Sequence, residues 1–503
     1  MKSGLLGRKL GHSYSPQIHA LMGSYSYELF EKEPEEVADF VKNGDFTGIN
    51  VTIPYKKDVI PCMDELSPMA RRMGAVNTVV RLSDGTLFGH NTDYFGFSSM
   101  VSRSGISVKD KKVLVLGSGG ASNTAVKVLE DMGAKVVIIS RSGENNYGNL
   151  HLHKDASVIV NTTPVGMYPN TGVSAVDLKA FPQLEGVLDM IYNPARTQFL
   201  LDAEALGLPR ENGLWMLVAQ AKEAAEYFGE KPLEDSLIET VYNKLSSQMQ
   251  NIILIGMPGS GKSSVGRALA DALGRSFVDA DADIAPLAGI PIPEIFSRFG
   301  EETFREYETK VLAELGKKSC LVIATGGGCV TKGRNYRLLH QNGRIVWLKR
   351  DLDRLPTEGR PLSQAGKLAD MYEVRRPLYE AFADCVIENN GSLKETVAAI
   401  TAQLEGYYEN SCDQWTQYQY AGHPGAGHLR KKQFFRSALP SGGNFPAAEC
   451  GSGAVSVQSR RGSGGQDPVG LRKGRRHRHQ SRSLYPHLCC HSGRTEICFH
   501  PGG

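Results

Sequence analysis

The sequence predicts an α/β protein built on parallel sheets, followed by a tail that belongs to neither half. Three observations carry this. From Lys112 to about Ile400, short β-branched runs alternate with amphipathic helical stretches, the pattern of parallel strands with helices packed on the sheet faces. Two strand-to-helix junctions are glycine-rich, GSGGAS at 117–122 and GMPGSGKS at 256–263. Beyond about Tyr408 neither a 3.6- nor a 2-residue hydrophobic period survives, while Gly, Ser, Arg, His and Cys accumulate.

A chain of 503 residues suits about three domains, each burying its own core. Four segments are expected: 1–98, completed by helices at about 214–247; 99–213; 249–407; and a tail, 408–503, without a fold of its own. EKPLEDSLIETVYNKLSSQMQ at 230–250 reads as a closing helix and polar linker, which puts a boundary near 248. The formal charge of +3 conceals a split: residues 409–503 carry 13 Lys/Arg against 5 Asp/Glu, leaving 44 against 49 for the rest. No run of about 18 apolar residues occurs and MKSGLLGRKLGHS lacks a signal-peptide core, so the expectation is a soluble, cytoplasmic protein. Cys62, Cys320, Cys329 and Cys385 lie far apart and form no CxxC pair, which suits a reducing compartment.

In chain order, the first half opens with four polar clusters: GHSYSP (11–16), NVTIPYK (50–56), GAVNT (74–78) and GHNTD (89–93). Polar residues at strand ends suit a polyol. Within them Lys56 and Asp93 are the acid/base candidates, a pair able to move a proton to a ketone oxygen as hydride reaches its carbon. KVLVLGSGG (112–120) is a strand feeding a glycine-rich turn and a helix, whose N-terminal amides can receive a dinucleotide's pyrophosphate. The next strand, KVVIIS, ends in Ser140-Arg141-Ser142; an Arg where an NAD site carries an acid favours a 2′-phosphate, hence NADP.

These clusters, with NTTPVGM (161–167), DMIYNPART (189–197) and GLWMLVAQA (213–221), resemble shikimate dehydrogenase over residues 4 to about 245. The resemblance implies a substrate-binding domain and a Rossmann NADP domain. It assigns Ser13, Ser15, Thr52, Lys56, Asn77, Asp93 and Gln220 to shikimate, with Lys56 and Asp93 catalytic. It places Gly117, Gly119, Gly120, Ala121, Arg141, Asn161, Thr162 and Met190 around NADP(H). The nucleotide turn reads GSGGAS where many relatives have GAGGAA, a small-for-small change.

The second half begins with IILIGMPGSGKS (252–263), a strand followed by G-x-x-x-x-G-K-S. Its glycines let backbone amides surround the phosphates of a nucleoside triphosphate, Lys262 meets the β/γ oxygens and Ser263 is placed to hold Mg²⁺. Gly256, Gly259, Ser260, Gly261 and Ser264 complete the ATP loop. Downstream, FVDAD (277–281) offers Asp281 to accept a hydroxyl proton and Asp279 to the Mg²⁺ shell. GEETFREYE (300–308) offers Arg305 as a carboxylate fork, or alternatively Arg305 and Glu308 as helix salt bridges. ATGGGCV (324–330) allows close backbone approach to a ligand at Gly326, Gly327 and Gly328; EGRPL (358–362) and VRRPLY (374–379) follow. Together these resemble shikimate kinase, a P-loop kinase with a parallel sheet, over 250–406. The resemblance assigns Asp281, Arg305, Gly327, Gly328 and Arg375 to shikimate, Arg360 to a mobile lid at the ATP site, and Arg376 to no definite role. Two departures stand out: Ala285 where relatives usually carry an acid, and a short stretch between Pro361 and Arg375.

The two resemblances imply one pathway, 3-dehydroshikimate to shikimate with NADPH, then shikimate to shikimate 3-phosphate with MgATP. The partners implied are small molecules, with neither nucleic acid nor membrane; composition leaves the oligomeric state open. A ligand-sensing regulator without turnover would have no use for both Lys56/Asp93 and Lys262/Asp281. The basic stretch GRRHRHQSR (474–482) would suit a nucleic-acid arm, but interleaved aromatics and a recognition module are missing. Cys489, Cys490, His491, Cys498 and His500 match no zinc-ligand spacing. Begun one nucleotide later with permissible codons, the tail yields three segments resembling type II 3-dehydroquinate dehydratase in the right order. The tail is therefore expected to be an out-of-frame translation, disordered and without dehydratase activity.

Overall fold

The computed structural model describes residues 2–11, 13–355 and 365–404. Arg360, part of the stretch between Pro361 and Arg375, and the tail with its basic run and Cys/His cluster lie outside the described residues. Three sheets organise the rest.

The first contains β1 (Lys2–Gly7), β2 (Ser26–Glu31), β3 (Gly48–Val51), β4 (Glu65–Leu66), β5 (Thr78–Arg81) and β6 (Leu87–His90), in the order β2-β1-β3-β5-β6-β4. It is mixed: β1 is parallel to β2 and β3, whereas β5 runs antiparallel to both β3 and β6. One face is covered by a core around Leu6, Val37, Val41, Ile49, Val59 and Val79. On the other side, helix Leu214–Gly229 returns from much later in the chain. Glycines permit both of its close approaches. A Cβ at Gly48 would collide with the Phe228 ring, and one at Gly96, on helix Asp93–Ser104, would lie 2.7 Å from the Met216 carbonyl.

The second sheet, β7 (Lys112–Leu116), β8 (Lys135–Ile139), β9 (Val158–Asn161), β10 (Gly186–Asp189) and β11 (Arg210–Glu211), is wholly parallel in the order β11-β10-β9-β7-β8. β7, β9 and β10 are apolar runs except at their ends, as strands covered on both faces require, while the edge strand β8 is partly exposed. The third, β12 (Asn251–Ile255), β13 (Ser276–Asp279), β14 (Leu321–Ala324), β15 (Gly343–Lys349) and β16 (Cys385–Glu388), is also parallel, ordered β13-β14-β12-β15-β16. In both sheets the chain leaves its first strand in one direction and later returns to the other side. That leaves a crevice beyond the carboxyl ends of β7 and of β12, where open α/β sheets bind ligands. A last helix covers 393–404. Among the described residues no helix is long and apolar enough to cross a membrane, and Cys62, Cys320, Cys329 and Cys385 are free thiols.

Candidate active sites

The register of the first sheet brings its polar clusters to one edge. β3 ends at Val51 and Asn50 lies opposite Thr78 at the start of β5, which in turn lies opposite His90 at the end of β6. The loops after β3 and β6 and the loop before β5 therefore meet. Lys56 Nζ donates to Asp93 Oδ2 at 2.6 Å. Asn77, 2 % exposed, donates from Nδ2 to Asp93 Oδ1 at 3.0 Å and accepts at Oδ1 from Thr92 N at 2.8 Å. One carboxylate is thus held by an ammonium on one oxygen and an amide on the other. Asp93 is also the first residue of its helix, where the free backbone amides favour a negative charge. Thr92 extends the network, donating to Gln220 Oε1 at 3.3 Å on helix Leu214–Gly229. Ser13 and Ser15, joined by a 3.2 Å bond from Ser15 N to Ser13 Oγ, follow β1 on the same edge, and Thr52 follows β3 there.

The cofactor candidates gather on the carboxyl edge of the second sheet. Leu116, Ile139 and Asn161 are register partners at the ends of β7, β8 and β9, so the 117–121 turn, Arg141 and Thr162 emerge side by side. Gly117 has φ +111, and a Cβ there would meet Thr162 Oγ1 at 2.8 Å. Gly119, Gly120 and Ala121 are exposed, and a Cβ at either glycine would meet no protein atom. This open backbone at the start of helix Gly120–Asp131 fits a dinucleotide pyrophosphate. Arg141 is exposed, as a group reaching for a phosphate should be. Asn161 differs from expectation. Its side chain is fully buried, donating to Asp189 Oδ1 at 3.0 Å and accepting from Thr163 Oγ1 at 2.7 Å, so it braces the loop that presents Thr162 and Met190. Burial pushes the Asp189 carboxyl up to about 7, although Thr197, Ile191 N and Asn161 all donate to it.

In the third sheet the 256–263 loop joins β12 to helix Lys262–Leu273. Gly256, Gly259 and Gly261 have φ +144, +85 and +93, and a Cβ at Gly261 would fall 2.6 Å from Asn389 Nδ2, so this turn admits only glycine there. Lys262 Nζ donates to the Gly256 and Met257 carbonyls at 2.9 and 3.0 Å, spanning the loop its phosphates would fill. Ser260 is fully buried and Ser264 exposed. Ser263 Oγ donates to Asp279 Oδ2 at 2.7 Å. A hydroxyl and a carboxylate oxygen side by side are hard donors that fit Mg²⁺.

Beside them, burial raises the Asp281 carboxyl, Asp279 adds to this, and Lys262 and Arg305 oppose it; its Oδ1 is buried without a hydrogen-bond partner. Arg305 is both fork and salt bridge. Its Nη1 donates to Glu308 Oε2 at 2.8 Å, and its Nη2 and Nε donate to Glu301 Oε1 at 2.9 and 3.2 Å. That engages three of a guanidinium's five N–H groups and leaves two, one on each Nη, for a ligand. Gly326 and Gly328 make room, since a Cβ at the first would crowd Asp281 and Glu308 and at the second would collide with the Arg305 guanidinium. Arg375 Nη1 and the Tyr379 hydroxyl both donate to the Gly327 carbonyl, the former at 3.2 Å. Arg376 points elsewhere, to Glu373 and Glu380.

Comparison with known proteins agrees with this geometry. Residues 5–79 match the family model of the shikimate dehydrogenase substrate binding domain. A shikimate dehydrogenase (NADP(+)) of Clostridium perfringens is 38% identical over 264 residues, 48% of this chain and 97% of that protein. The chain belongs to the shikimate dehydrogenase family. A second relative, from Caldicellulosiruptor bescii, is 41% identical over 251 residues, covering 44% of this chain and 86% of its own length. Among solved structures, shikimate dehydrogenase 1 from Peptoclostridium difficile covers 48% of this chain and 97% of its own at 38% identity, with a TM-score of 0.44. Residues 258–405 match the shikimate kinase family model, so a kinase domain is fused behind the dehydrogenase.

Within the dehydrogenase half, Thr92 has a role that its place inside GHNTD does not announce: it links Asn77 to Gln220. In the kinase half, Tyr379, inside VRRPLY, and Asn389 also reach the site loops. Asn389 Nδ2 donates to the Ser260 carbonyl of the phosphate loop at 2.6 Å and no local motif marks it.

Proposed function

We propose a bifunctional shikimate-pathway enzyme that reduces 3-dehydroshikimate with NADPH and phosphorylates the resulting shikimate with MgATP. The observation that carries the first activity is the Lys56–Asp93 pair, 2.6 Å apart and clamped by Asn77. NADPH supplies the hydride. Lys56 donates a proton to the ketone oxygen, Asp93 holds the ammonium in place, and Asn77 keeps the carboxylate from turning away. Ser13, Ser15, Thr52 and Gln220 are assigned to the ring hydroxyls and carboxylate. Gly117, Gly119, Gly120, Ala121, Arg141, Thr162 and Met190 are assigned to NADP(H), with Asn161 as a brace.

For phosphorylation ATP supplies the phosphoryl group, which Gly256, Gly259, Ser260, Gly261, Lys262, Ser263 and Ser264 would cradle; the resemblance adds Arg360 to the ATP site. Ser263 and Asp279 would hold Mg²⁺. Asp281 accepts the proton of the attacking hydroxyl; a carboxylate whose affinity for protons is raised by burial is suited to that. Arg305, Arg375 and the Gly327–Gly328 backbone bind the substrate. We assign residues 1–98 with 214–247 to the substrate lobe, 99–213 to the NADP lobe and 249–407 to the kinase, in a cytoplasmic protein. Incubating the chain with 3-dehydroshikimate, NADPH and MgATP tests this: NADPH consumption at 340 nm with shikimate 3-phosphate by mass supports both sites. Shikimate accumulating unphosphorylated would confine activity to the first half.

For the tail we propose out-of-frame translation of a type II 3-dehydroquinate dehydratase gene, whose product would be the first half's substrate. The nucleotide sequence across codons 395–485 tests it, and absence of the required codons overturns it.

A further inference from the structure

No polar linker separates the halves: helix Ser236–Met249 continues to Gln250 and directly into β12, and the halves are tied by more than this connection. The segment after β10 carries Met190 at one end and Ala195-Arg196-Thr197 at the other. Its far end rests on the kinase turn between helix Arg334–His340 and β15. Ala195 N donates to Asn342 Oδ1 at 2.8 Å, and Arg196 N donates to the Gln341 carbonyl at 2.8 Å. Arg196 Nη1 donates to the His340 carbonyl at 2.8 Å and the Gly343 carbonyl at 3.4 Å. These bonds use main-chain atoms or buried amides, so they fix position more sharply than the half-exposed Arg337–Asp202 ion pair beside them.

Asn342, 1 % exposed, is the hub. Besides accepting from Ala195, its Nδ2 donates to the Lys317 and Lys318 carbonyls at 3.3 and 3.4 Å and to Ser319 Oγ at 3.5 Å. Ser319 and Cys320 lie near enough to the Tyr14 phenol to act on its acidity. Tyr14 stands between Ser13 and Ser15 and meets the Tyr192 ring edge-on, centroids 6.1 Å apart. Loops from both dehydrogenase sheets thus rest on one stretch of kinase. Inward, Thr197 Oγ1 donates to Asp189 Oδ2 at 2.6 Å and Asn161 donates to the other oxygen, so the 190–197 segment is held at both ends.

We propose that the kinase half positions the dehydrogenase's cofactor segment, with Arg196 and Asn342 as positioning residues that hold residues 190–197 in the geometry that receives NADPH. This rests on the reading of Met190 and its neighbours as the NADP wall. The consequence is directional. Loosening the contact, which lies at the amino end of β12, disturbs cofactor binding in the first half and leaves the phosphate loop at the carboxyl end of β12 as it was.

The test uses the full chain with Arg196→Ala, Arg196→Lys and Asn342→Ala, measuring steady-state constants for both reactions. Losing the Arg196 bonds should raise KM for NADPH roughly 5–10-fold. The values of kcat for reduction and of KM for ATP and shikimate should stay within about twofold. Arg196→Lys, which keeps one charged donor, should recover part of the loss. If Asn342→Ala fails to fold, Arg196→Ala alone decides. An unchanged NADPH KM in folded Arg196→Ala overturns the proposal, as does a parallel rise in the NADPH and ATP KM values, the sign of general loosening. No NADPH oxidation by the unsubstituted chain overturns the NADP reading, and the proposal with it.

Discussion

Glu308→Ala offers the sharpest check on the kinase pocket. Glu308 is wholly buried and its Oε2 accepts from Arg305 Nη1 at 2.8 Å, while Arg305 itself is 6 % exposed. Burial pushes the Glu308 carboxyl above its ordinary value and the guanidinium only partly offsets this, so the pair is held by geometry against a desolvation cost. Removing one partner of a buried pair leaves the other charge stranded, at ~3–5 kcal/mol. Arg305 keeps Glu301, but that side chain is 54% exposed, and a partner at the surface returns only about 0.2–1 kcal/mol. The net expectation is roughly 3 kcal/mol lost from the kinase half. Glu308→Gln, which retains shape and an acceptor, should cost about 1–2 kcal/mol. Freed of Glu308, Arg305 swings toward Glu301 and away from the carboxylate it is assigned, so KM for shikimate rises about tenfold for each 1.4 kcal/mol of lost binding. Native-state hydrogen exchange on peptides from Ile292–Lys317 reads the stability, and initial rates at varied shikimate read the site. A cost below about 1 kcal/mol with an unchanged shikimate KM would refute the reasoning.

Lys56→Ala should lower 3-dehydroshikimate reduction by at least ~10²-fold and leave phosphorylation intact, and Lys262→Ala should do the reverse; loss of both activities in either single variant contradicts two separate sites. Gly261→Ala, with φ +93 and a Cβ 2.6 Å from Asn389, should raise KM for ATP at least ~10-fold with NADPH oxidation untouched, and an ordinary ATP KM would contradict the strained turn. Asp189 titrates near 7 folded and near 3.9 unfolded, so the folded state binds the extra proton between those values. Stability of the dehydrogenase half should therefore fall by roughly 2–4 kcal/mol as pH rises from about 4 to about 7, then level. Asp189→Asn should remove that slope, and parallel stability curves for the two proteins would exclude Asp189 as its source.

What the sequence made legible was local. The phosphate loop declares itself because its glycines, Lys262 and Ser263 are contiguous and their φ demands follow from the turn, and the parallel sheets declare themselves through uninterrupted runs such as KVLVL and NIILI. The mixed pairing of the first sheet did not, because β3, β5 and β6 are four residues each, too short for a period to distinguish directions. Lys56 and Asp93 were legible as residue types, but the reason they meet is register: an antiparallel β5 between β3 and β6 brings the ends of three strands to one edge. The role of Arg305 stayed open between fork and salt bridge because a guanidinium has enough donors for both, and only burial shows that the bridges orient the fork.

The contacts that escaped the sequence altogether are those of Asn342. It lies 147 positions from Ala195, in no motif, and its value comes from one short amide facing two ways: Oδ1 toward the dehydrogenase segment, Nδ2 toward the kinase carbonyls. An Asp could accept from Ala195 but would turn a charge on those carbonyls; a Ser could not span both. Such a residue serves the kinase carbonyls and the junction at once, and none of the motifs quoted from either half includes it. The buried polar groups at this seam carry weight because an unpaired donor there costs about 1–3 kcal/mol and pairing fixes one orientation.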